Sequence, residues 1–155
     1  MLRMCIFILV LLTACISFAN PITSTEDEVA IIQAVRDYIE SQHKGSKEQM
    51  AQSLHAKLAK RTYWQAKDGT EFVMETSRET MLNVAENYNR NKDKFPEAPR
   101  IDIKVLDIDK RVASVKLSAD DWIDYMHLMK NQQGQWYIIN VLWQYHNINK
   151  HSSKR

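Results

Sequence analysis

A ten-residue segment near the carboxyl end constrains the fold of this chain more than any other feature. Residues 134–143, with the sequence GQWYIINVLW, begin with a glycine turn and continue as a strand that is apolar on both faces. Regular alternation assigns its side chains to two faces, one with Trp136, Ile138 and Leu142 and the other with Tyr137, Ile139, Val141 and Trp143. Such a strand must be covered on both sides, so we expect a curved sheet with helices on one face and a second cover on the other.

Two segments with a helical spacing of apolar residues lie near the start of the chain. The first runs from residue 27 to about 42, has acidic residues in its first turn and ends at Gly45. The second begins at Ser46, a favourable N-cap residue. Its apolar stripe consists of Met50, Leu54 and Leu58, which predicts a short helix with a break near Ala56.

A third helix is predicted in the middle of the chain. It starts either at Ser77, paired with Thr80, or at Thr76, which forms a capping box with Glu79. Its apolar stripe consists of Met81, Val84, Ala85 and Tyr88. A polar stretch at residues 87–94 follows this helix, and the prolines at positions 96 and 99 forbid a helix beyond it.

Strand patterns fill the remainder of the chain. Residues 60–65 indicate a short strand or irregular edge, and residues 72–74 a short extended piece. From residue 100 the apolar period changes to two, and tight turns separate four predicted strands at 101–108, 112–117, 122–130 and 136–145. Three helices followed by an antiparallel meander indicate an α+β fold with about four long strands and short edge pieces.

The first nineteen residues have the composition of a secretory signal peptide. Arg3 supplies a positive start, residues 4–13 are apolar, and Ser17 and Ala19 are small residues at the −3 and −1 positions of a cleavage site. The apolar stretch is too short for a transmembrane helix. We therefore divide the chain into a cleaved signal peptide at 1–19, a short linker at 20–26, a domain at 27–146 and a basic flexible tail at 147–155.

The cysteines allow a second interpretation of the leader. Residues 12–15 resemble a bacterial lipobox, in which Cys15 would be lipidated and become the first residue of a membrane-anchored protein. The apolar Ile16 and Phe18 extend the leader past this point and favour the later cut, which gives a periplasmic or secreted protein. Both cysteines of the chain precede that cut, so the mature domain has no thiol or disulfide.

Charge and motif content narrow the functional classes. The formal net charge of +2 is too small to indicate a nucleic-acid partner. The glycines are isolated, no Gly-x-Ser-x-Gly motif is present, and the histidines are scattered, so we predict no phosphate loop, no cofactor and no metal site.

Three segments resemble one known family. Residues 27–40 look like its first helix with the pattern "AI…V…Y", and residues 44–46 followed by Leu54-His55 look like its "kGD…a…fH" segment. Residues 124–130 (DYMHLMK) and 134–143 look like its ending "tDyl.Lvk..GrWrIvnkvW". The chain thus resembles the NTF2-like superfamily over residues 26–145, and within it the putative lumazine-binding (SnoaL-like) branch.

This resemblance implies a fold and an assembly. It implies a curved antiparallel sheet wrapped around three helices as a cone, with a pocket inside, and a homodimer formed through the outer sheet face. The doubly apolar final strand agrees with that dimer, because an exposed apolar face needs a partner or the tail to cover it. The superfamily includes isomerases, cyclases, dehydratases and binding modules, so the resemblance alone assigns no activity.

His55 is the first candidate for a catalytic or ligand-binding residue. It follows the predicted second helix, where the family pattern places a histidine near the mouth of the cone. An imidazole at this place would act as a base or a hydrogen-bond donor near neutral pH. The alternative is a structural histidine that is hydrogen-bonded to the backbone.

Asp124 and Tyr125 are further catalytic candidates on the strand at 122–130, and they point to opposite faces. If Asp124 faces inward, it would be a buried carboxylate with a raised pKa, suited to act as a general base. If Tyr125 and His127 face inward, the pocket would offer a phenol and an imidazole instead. Pairing across a sheet surface is the structural alternative for both faces.

Aromatic residues and methionines supply a candidate lining for a flat, apolar cavity. With His55 and Asp124, the predicted ligand-binding residues are Tyr38, Tyr63, Trp64, Met81 and Tyr88. The leading hypothesis is an exported protein that binds a small apolar or aromatic molecule. The alternatives are a cofactor-free lyase or isomerase of SnoaL or ketosteroid-isomerase type, and a non-catalytic interaction domain with a filled cone.

Overall fold

The computed structural model describes residues 25–153, so the predicted signal peptide and Cys15 lie outside the described residues. The helices in this range are α1 (Thr25–Lys44), α2 (Lys47–Ser53) and α3 (Arg78–Asn87). The strands are β1 (Leu54–Gln65), β2 (Glu71–Thr76), β3 (Asp102–Asp109), β4 (Val112–Ser118), β5 (Trp122–Lys130) and β6 (Trp136–Tyr145). A 3-10 turn follows at Ile148–Lys150. No helix of this range is both long and apolar enough to cross a membrane.

The six strands form one curved sheet in the order β2-β1-β6-β5-β4-β3. The four long strands predicted at the end of the chain are β3 to β6, and each pairs with the next in antiparallel orientation. The predicted α+β cone is therefore confirmed. The sheet is mixed. In its middle, β1 runs parallel to its neighbour β6, and on the opposite edge of β1 the strand β2 runs antiparallel to it.

The second helix is shorter than the apolar stripe predicted. α2 begins after its N-cap Ser46, as expected, but it ends at Ser53, and Leu54 has an extended backbone. Leu54 and Leu58 belong to β1, where both are buried. Pairing of Leu54 with Ile138 gives β6 a neighbouring strand that a continued helix would not supply, and this tertiary pairing overrides the local periodicity.

A bulge in β6 changes which side chains face the helices. His127 of β5 pairs with Asn140 and the next residue, Leu128, pairs with Ile138, so Ile139 is an extra residue in β6. The predicted division into two faces is wrong beyond this point, because the extra residue shifts the alternation by one. Val141 is buried with Trp136 and Ile138 on the inner face, whereas Leu142 is 62% exposed on the outer face.

The core lies between α1 and the inner face of the sheet. The buried stripe of α1 consists of Ile31, Val35, Tyr38 and Ile39, all fully buried. Gly45 ends this helix in a left-handed conformation (φ +74°), and Ser46 N donates to Ser41 O at 2.9 Å, as in a Schellman cap. Asp27 in its first turn accepts hydrogen bonds from Lys130 Nζ and Trp136 Nε1, which fix α1 to the β5–β6 hairpin.

Residues 147–153 of the predicted tail lie against the diverging ends of β1 and β6. His151 packs its ring against Trp64, Trp143 and Tyr145, with ring centroids 5.1–5.6 Å apart. Its backbone O accepts a hydrogen bond from Gln65 N at 3.0 Å. This histidine fills the wedge between two strands that no longer pair with each other.

The ring of His151 is hydrogen-bonded in its neutral form. Nε2 accepts from Tyr145 N at 2.6 Å, so the proton must lie on Nδ1, which donates to Tyr63 O at 3.0 Å. Burial lowers the pKa of His151, and the hydrogen bond to Tyr63 opposes this shift. Because the folded-state pKa lies below the unfolded value, the folded state binds fewer protons, and its stability falls as pH drops.

We expect the free energy of unfolding to decrease between about pH 7 and pH 5, and to decrease less in His151→Gln than in the wild type. Urea denaturation at several pH values measures this difference. His127→Gln, which removes an exposed histidine from the outer sheet face, is the matched control, because it leaves the ring of His151 and its hydrogen bonds in place. An identical pH profile for the wild type and His151→Gln would contradict this assignment.

Candidate functional site

An ion pair lies inside the cone, between strands that are not neighbours in the sheet. Lys60 Nζ of β1 donates to Asp124 Oδ1 of β5 at 2.8 Å. Both strands pair with β6, so the two side chains meet across that strand on the inner face. Asp124 is fully buried and Lys60 is 7% exposed, which places opposite charges in the low-dielectric interior.

Two further side chains complete what we call the buried polar cluster, Tyr38, Lys60, Trp122 and Asp124. Trp122 Nε1 donates to Asp124 Oδ2 at 3.1 Å, so the two carboxylate oxygens have separate donors. Lys60 Nζ donates to Tyr38 Oη at 2.7 Å. Hydrogen bonds of this kind repay part of the cost of burying a charge.

The environment shifts the titration of the cluster. Burial lowers the pKa of Lys60, while the Asp124 carboxylate opposes that shift. Burial also raises the pKa of Tyr38 well above its usual range, and the charge of Asp124 adds to this effect. Desolvation disfavours the charged forms of both groups, so the phenol stays protonated and the ammonium is a stronger acid than in water.

Lys60 and Trp122 also line a cavity of about 210 Å³, which we call the cone cavity. Its lining is largely aromatic and apolar, with a few polar groups from the helices and β2. Besides Lys60 and Trp122, the lining residues are Gln42, Thr76, Thr80, Met81, Val84, Tyr88, Trp143 and Tyr145. The cavity thus joins α1, α3 and the inner face of β1, β2, β5 and β6.

The structure places four of the predicted site residues at or beside this cavity. Met81 and Tyr88 line it, in accordance with their positions on the stripe of α3 and directly after it. Asp124 points inward, which decides between the two registers considered for β5. Tyr38 is fully buried beneath Lys60, and its hydroxyl oxygen accepts a hydrogen bond from the Lys60 ammonium.

Two other predicted residues border a wider and more open depression. Tyr63 and Trp64 line a hollow of about 720 Å³ together with residues of β6 and the carboxyl-terminal segment. Tyr63 is 70% exposed on the outer face, and Trp64 Nε1 donates to Ser153 Oγ at 2.8 Å. The charged residues that line this hollow, Arg61 and Glu71, are not buried.

His55 and Tyr125 are not brought together with Asp124. His55 Nδ1 accepts a hydrogen bond from Lys57 N at 3.1 Å, and its ring packs on Tyr137 at 6.3 Å. Tyr125 is 51% exposed on the outer face, with the ammonium of Lys116 above its ring. The three predicted catalytic candidates therefore do not converge on one point in this structure.

Sequence reasoning missed Lys60, whose side chain is the charged centre of the site. The signal was present in β1, where Leu58, Lys60 and Thr62 alternate inward and are all buried. A lysine that alternates with two inward-facing residues of a strand also points inward, and it is an exception to the rule that lysine is exposed. Trp143 was misplaced because the bulge in β6 could not be read from the residue pattern.

A sequence model of one protein family matches residues 26–144 of this chain, and that family is described as "Putative lumazine-binding". The chain belongs to this family. The matched region includes Lys60, Asp124 and every residue of the cone cavity except Tyr145. No curated protein matches the chain.

Solved structures with the same fold have low sequence identity to this chain. An NTF2-like protein of unknown function from Silicibacter pomeroyi has a TM-score of 0.64 at 16% identity, covering 79% of this chain and 98% of its own. One from Shewanella baltica, also of unknown function, has a TM-score of 0.61 at 18% identity, covering 80% and 97%. A ketosteroid isomerase-like protein from Erwinia carotovora has a TM-score of 0.52 at 12% identity, covering 79% and 98%. These likenesses show the NTF2-like fold and leave the activity open.

Removal of one member of the ion pair should leave the other charge buried in the core without a partner. We expect Lys60→Met to lower the free energy of unfolding by about 3–5 kcal/mol, and the double variant Lys60→Met/Asp124→Leu to recover most of this loss. Denaturant unfolding of the two single variants and the double variant measures the coupling.

An outer-face ion pair between β1 and β2 is the control. Arg61 and Glu75 form an ion pair at 2.8 Å with both side chains partly exposed, and Arg61→Met should change the stability little. Equal effects of Lys60→Met and Arg61→Met would show that burial of the Lys60–Asp124 pair has no energetic consequence.

Proposed function

We propose that the protein binds a small aromatic molecule in the cone cavity, with the buried polar cluster at the inner end of the site. The observation that carries this proposal is Lys60, a buried charged residue that lines a largely aromatic and apolar cavity. A cavity that serves packing alone has no need of a buried ion pair, since apolar residues of similar volume are often as stable.

The size of the cavity limits the ligand. A volume of about 210 Å³ exceeds that of an engineered apolar cavity of about 150 Å³ that holds benzene. A single ring with a short substituent therefore fits, whereas a polycyclic ligand would require the walls to move. Trp122, Trp143 and Tyr145 supply aromatic faces for such a ring.

The polar groups of the cavity suggest the recognition chemistry. An ammonium has three hydrogens, and Lys60 uses two of them on Tyr38 and Asp124. The third is available for an oxygen acceptor on the ligand. The family description names lumazine, a bicyclic aromatic heterocycle, whose carbonyl oxygens match this acceptor chemistry but whose second ring would require the cavity walls to move.

Binding is tested by isothermal titration calorimetry with benzyl alcohol and with lumazine. Val84 lines the cavity, so Val84→Phe fills part of it and should weaken the binding of either compound about tenfold or more. Val29→Phe is the control, because Val29 is 64% exposed and does not line the cavity. The proposal fails if neither compound binds the wild type, or if both Val→Phe variants bind equally well.

We further propose that the protein is exported and that it forms a homodimer through the outer sheet face. The composition of residues 1–19 supports export. Leu142 and Tyr125 support the dimer, because they pair across β6 and β5 and are 62% and 51% exposed. With Tyr63 and Met129 they give the outer face an apolar surface that a second copy would cover.

Leu142→Glu should convert this dimer to a monomer, because it places a like charge on both sides of an isologous interface. Size-exclusion chromatography with light scattering measures the mass of the particle. Val29→Glu, which changes an exposed residue of α1, should leave the dimer intact. A wild-type chain that is monomeric at high micromolar concentration would contradict the dimer and leave the proposed binding site unaffected.

A further inference from the structure

Lys60 has the surroundings of an amine that reacts with carbonyl compounds. Such a nucleophile lies in a desolvating pocket, within hydrogen-bond reach of a base that a third group holds in position. The base is Asp124, whose Oδ1 lies 2.8 Å from Lys60 Nζ. The third group is Trp122, whose Nε1 donates to the other carboxylate oxygen at 3.1 Å.

We propose that the protein captures an aromatic aldehyde or ketone by condensation of its carbonyl group with the amine of Lys60. This inference rests on the proposed function and specifies the chemical class of the ligand. The product is an imine, which covalently attaches a single-ring compound at the inner end of the cone cavity.

The condensation is balanced without any cofactor. Asp124 takes one proton from the Lys60 ammonium, and the freed lone pair attacks the carbonyl carbon. The C=O electron pair moves to oxygen, which gains the proton held by Asp124, and a carbinolamine forms. Asp124 then moves one of the two remaining nitrogen protons to this hydroxyl, which leaves as water, and the nitrogen lone pair forms the C=N bond of an iminium that keeps the last ammonium proton.

The positive charge beside Asp124 is conserved in the reaction. The ammonium carries three hydrogens, two of which leave in the water molecule, and one remains on the iminium. The iminium has the same charge as the ammonium it replaces, so Asp124 stays its counterion. No charge is left unpaired in the core, which avoids the cost of an isolated buried ion.

The surroundings of Lys60 favour both the free amine that reacts and the cationic iminium that forms. Burial lowers the pKa of Lys60, so a larger fraction of this side chain is the unprotonated amine than burial-free solvation would allow. The Tyr38 oxygen accepts a hydrogen bond from Nζ at 2.7 Å and so holds the nitrogen in position. The ring centroid of Trp143 lies 5.0 Å from Nζ, a distance at which the π face stabilises a cation.

The experiment uses benzaldehyde with sodium cyanoborohydride, which reduces an iminium to a stable benzylamine. Peptide mapping by mass spectrometry then gives the extent of benzylation at each lysine near neutral pH. We expect Lys60 to react about tenfold or more faster than the exposed Lys57 of the same strand, although Lys60 is the less accessible of the two. Benzyl alcohol, which has the same ring and no carbonyl group, should compete and slow the labelling.

Variants separate the chemistry from accessibility. Lys60→Arg keeps the positive charge beside Asp124 and should abolish labelling at this position, whereas Lys57→Arg should leave labelling of Lys60 unchanged. Asp124→Asn, provided that circular dichroism shows it to be folded, should slow the labelling of Lys60 without stopping it. The mapping of the wild-type protein is decisive by itself and does not depend on any variant.

The outcomes distinguish this inference from the proposed function. If benzyl alcohol binds in the calorimeter but benzylation follows the exposure of the lysines, imine formation is wrong and the binding site stands. If neither benzyl alcohol nor lumazine binds and Lys60 is not labelled, both proposals fail. Fast labelling at Lys60 that benzyl alcohol suppresses supports both.

Discussion

Two opposite charges removed from water, on Lys60 and Asp124, join parts of the chain that are 64 residues apart. Desolvation of such a pair costs several kcal/mol per ion, and it is tolerated where the geometry is good and the remaining hydrogen-bonding groups have partners. Tyr38 from α1 and Trp122 from β5 supply those partners. The cluster therefore ties the long helix to two strands that flank β6, and the cone cavity lies above it.

The position of β6 determines what surrounds that pair. It is the central strand that contacts both β1 and β5, and its bulge at Ile139 shifts the side-chain alternation. Without the extra residue, Val141 and Trp143 would point outward, and Lys60 would lack the aromatic face that lies 5.0 Å from its ammonium. The same shift turns Leu142 outward, so one local irregularity contributes both to the cavity wall and to the apolar outer surface.

Much of the fold was predictable from local patterns, and much of the site was not. The long first helix, the helix capped at Ser77 and the four-stranded meander follow from periods of 3.6 and 2 that local geometry enforces. The length of β1 was missed, since its first residues gain their extended form by pairing with β6. Asp124 was identified as a candidate, but its partner was not, because residue type alone makes a lysine a surface residue.

The sequence by itself determined the α+β class, the family and the inventory of residues from which a site would be built. Periodicity and capping depend on neighbours within about one turn or one hairpin, and these are visible in the chain itself. Only the tertiary structure decided that Lys60 and Asp124 meet, that His55 and Tyr125 lie apart from them, and that His151 closes the wedge beside Trp143. Each of these depends on strand register, and a shift of one residue, such as that at Ile139, exchanges the two faces of a strand.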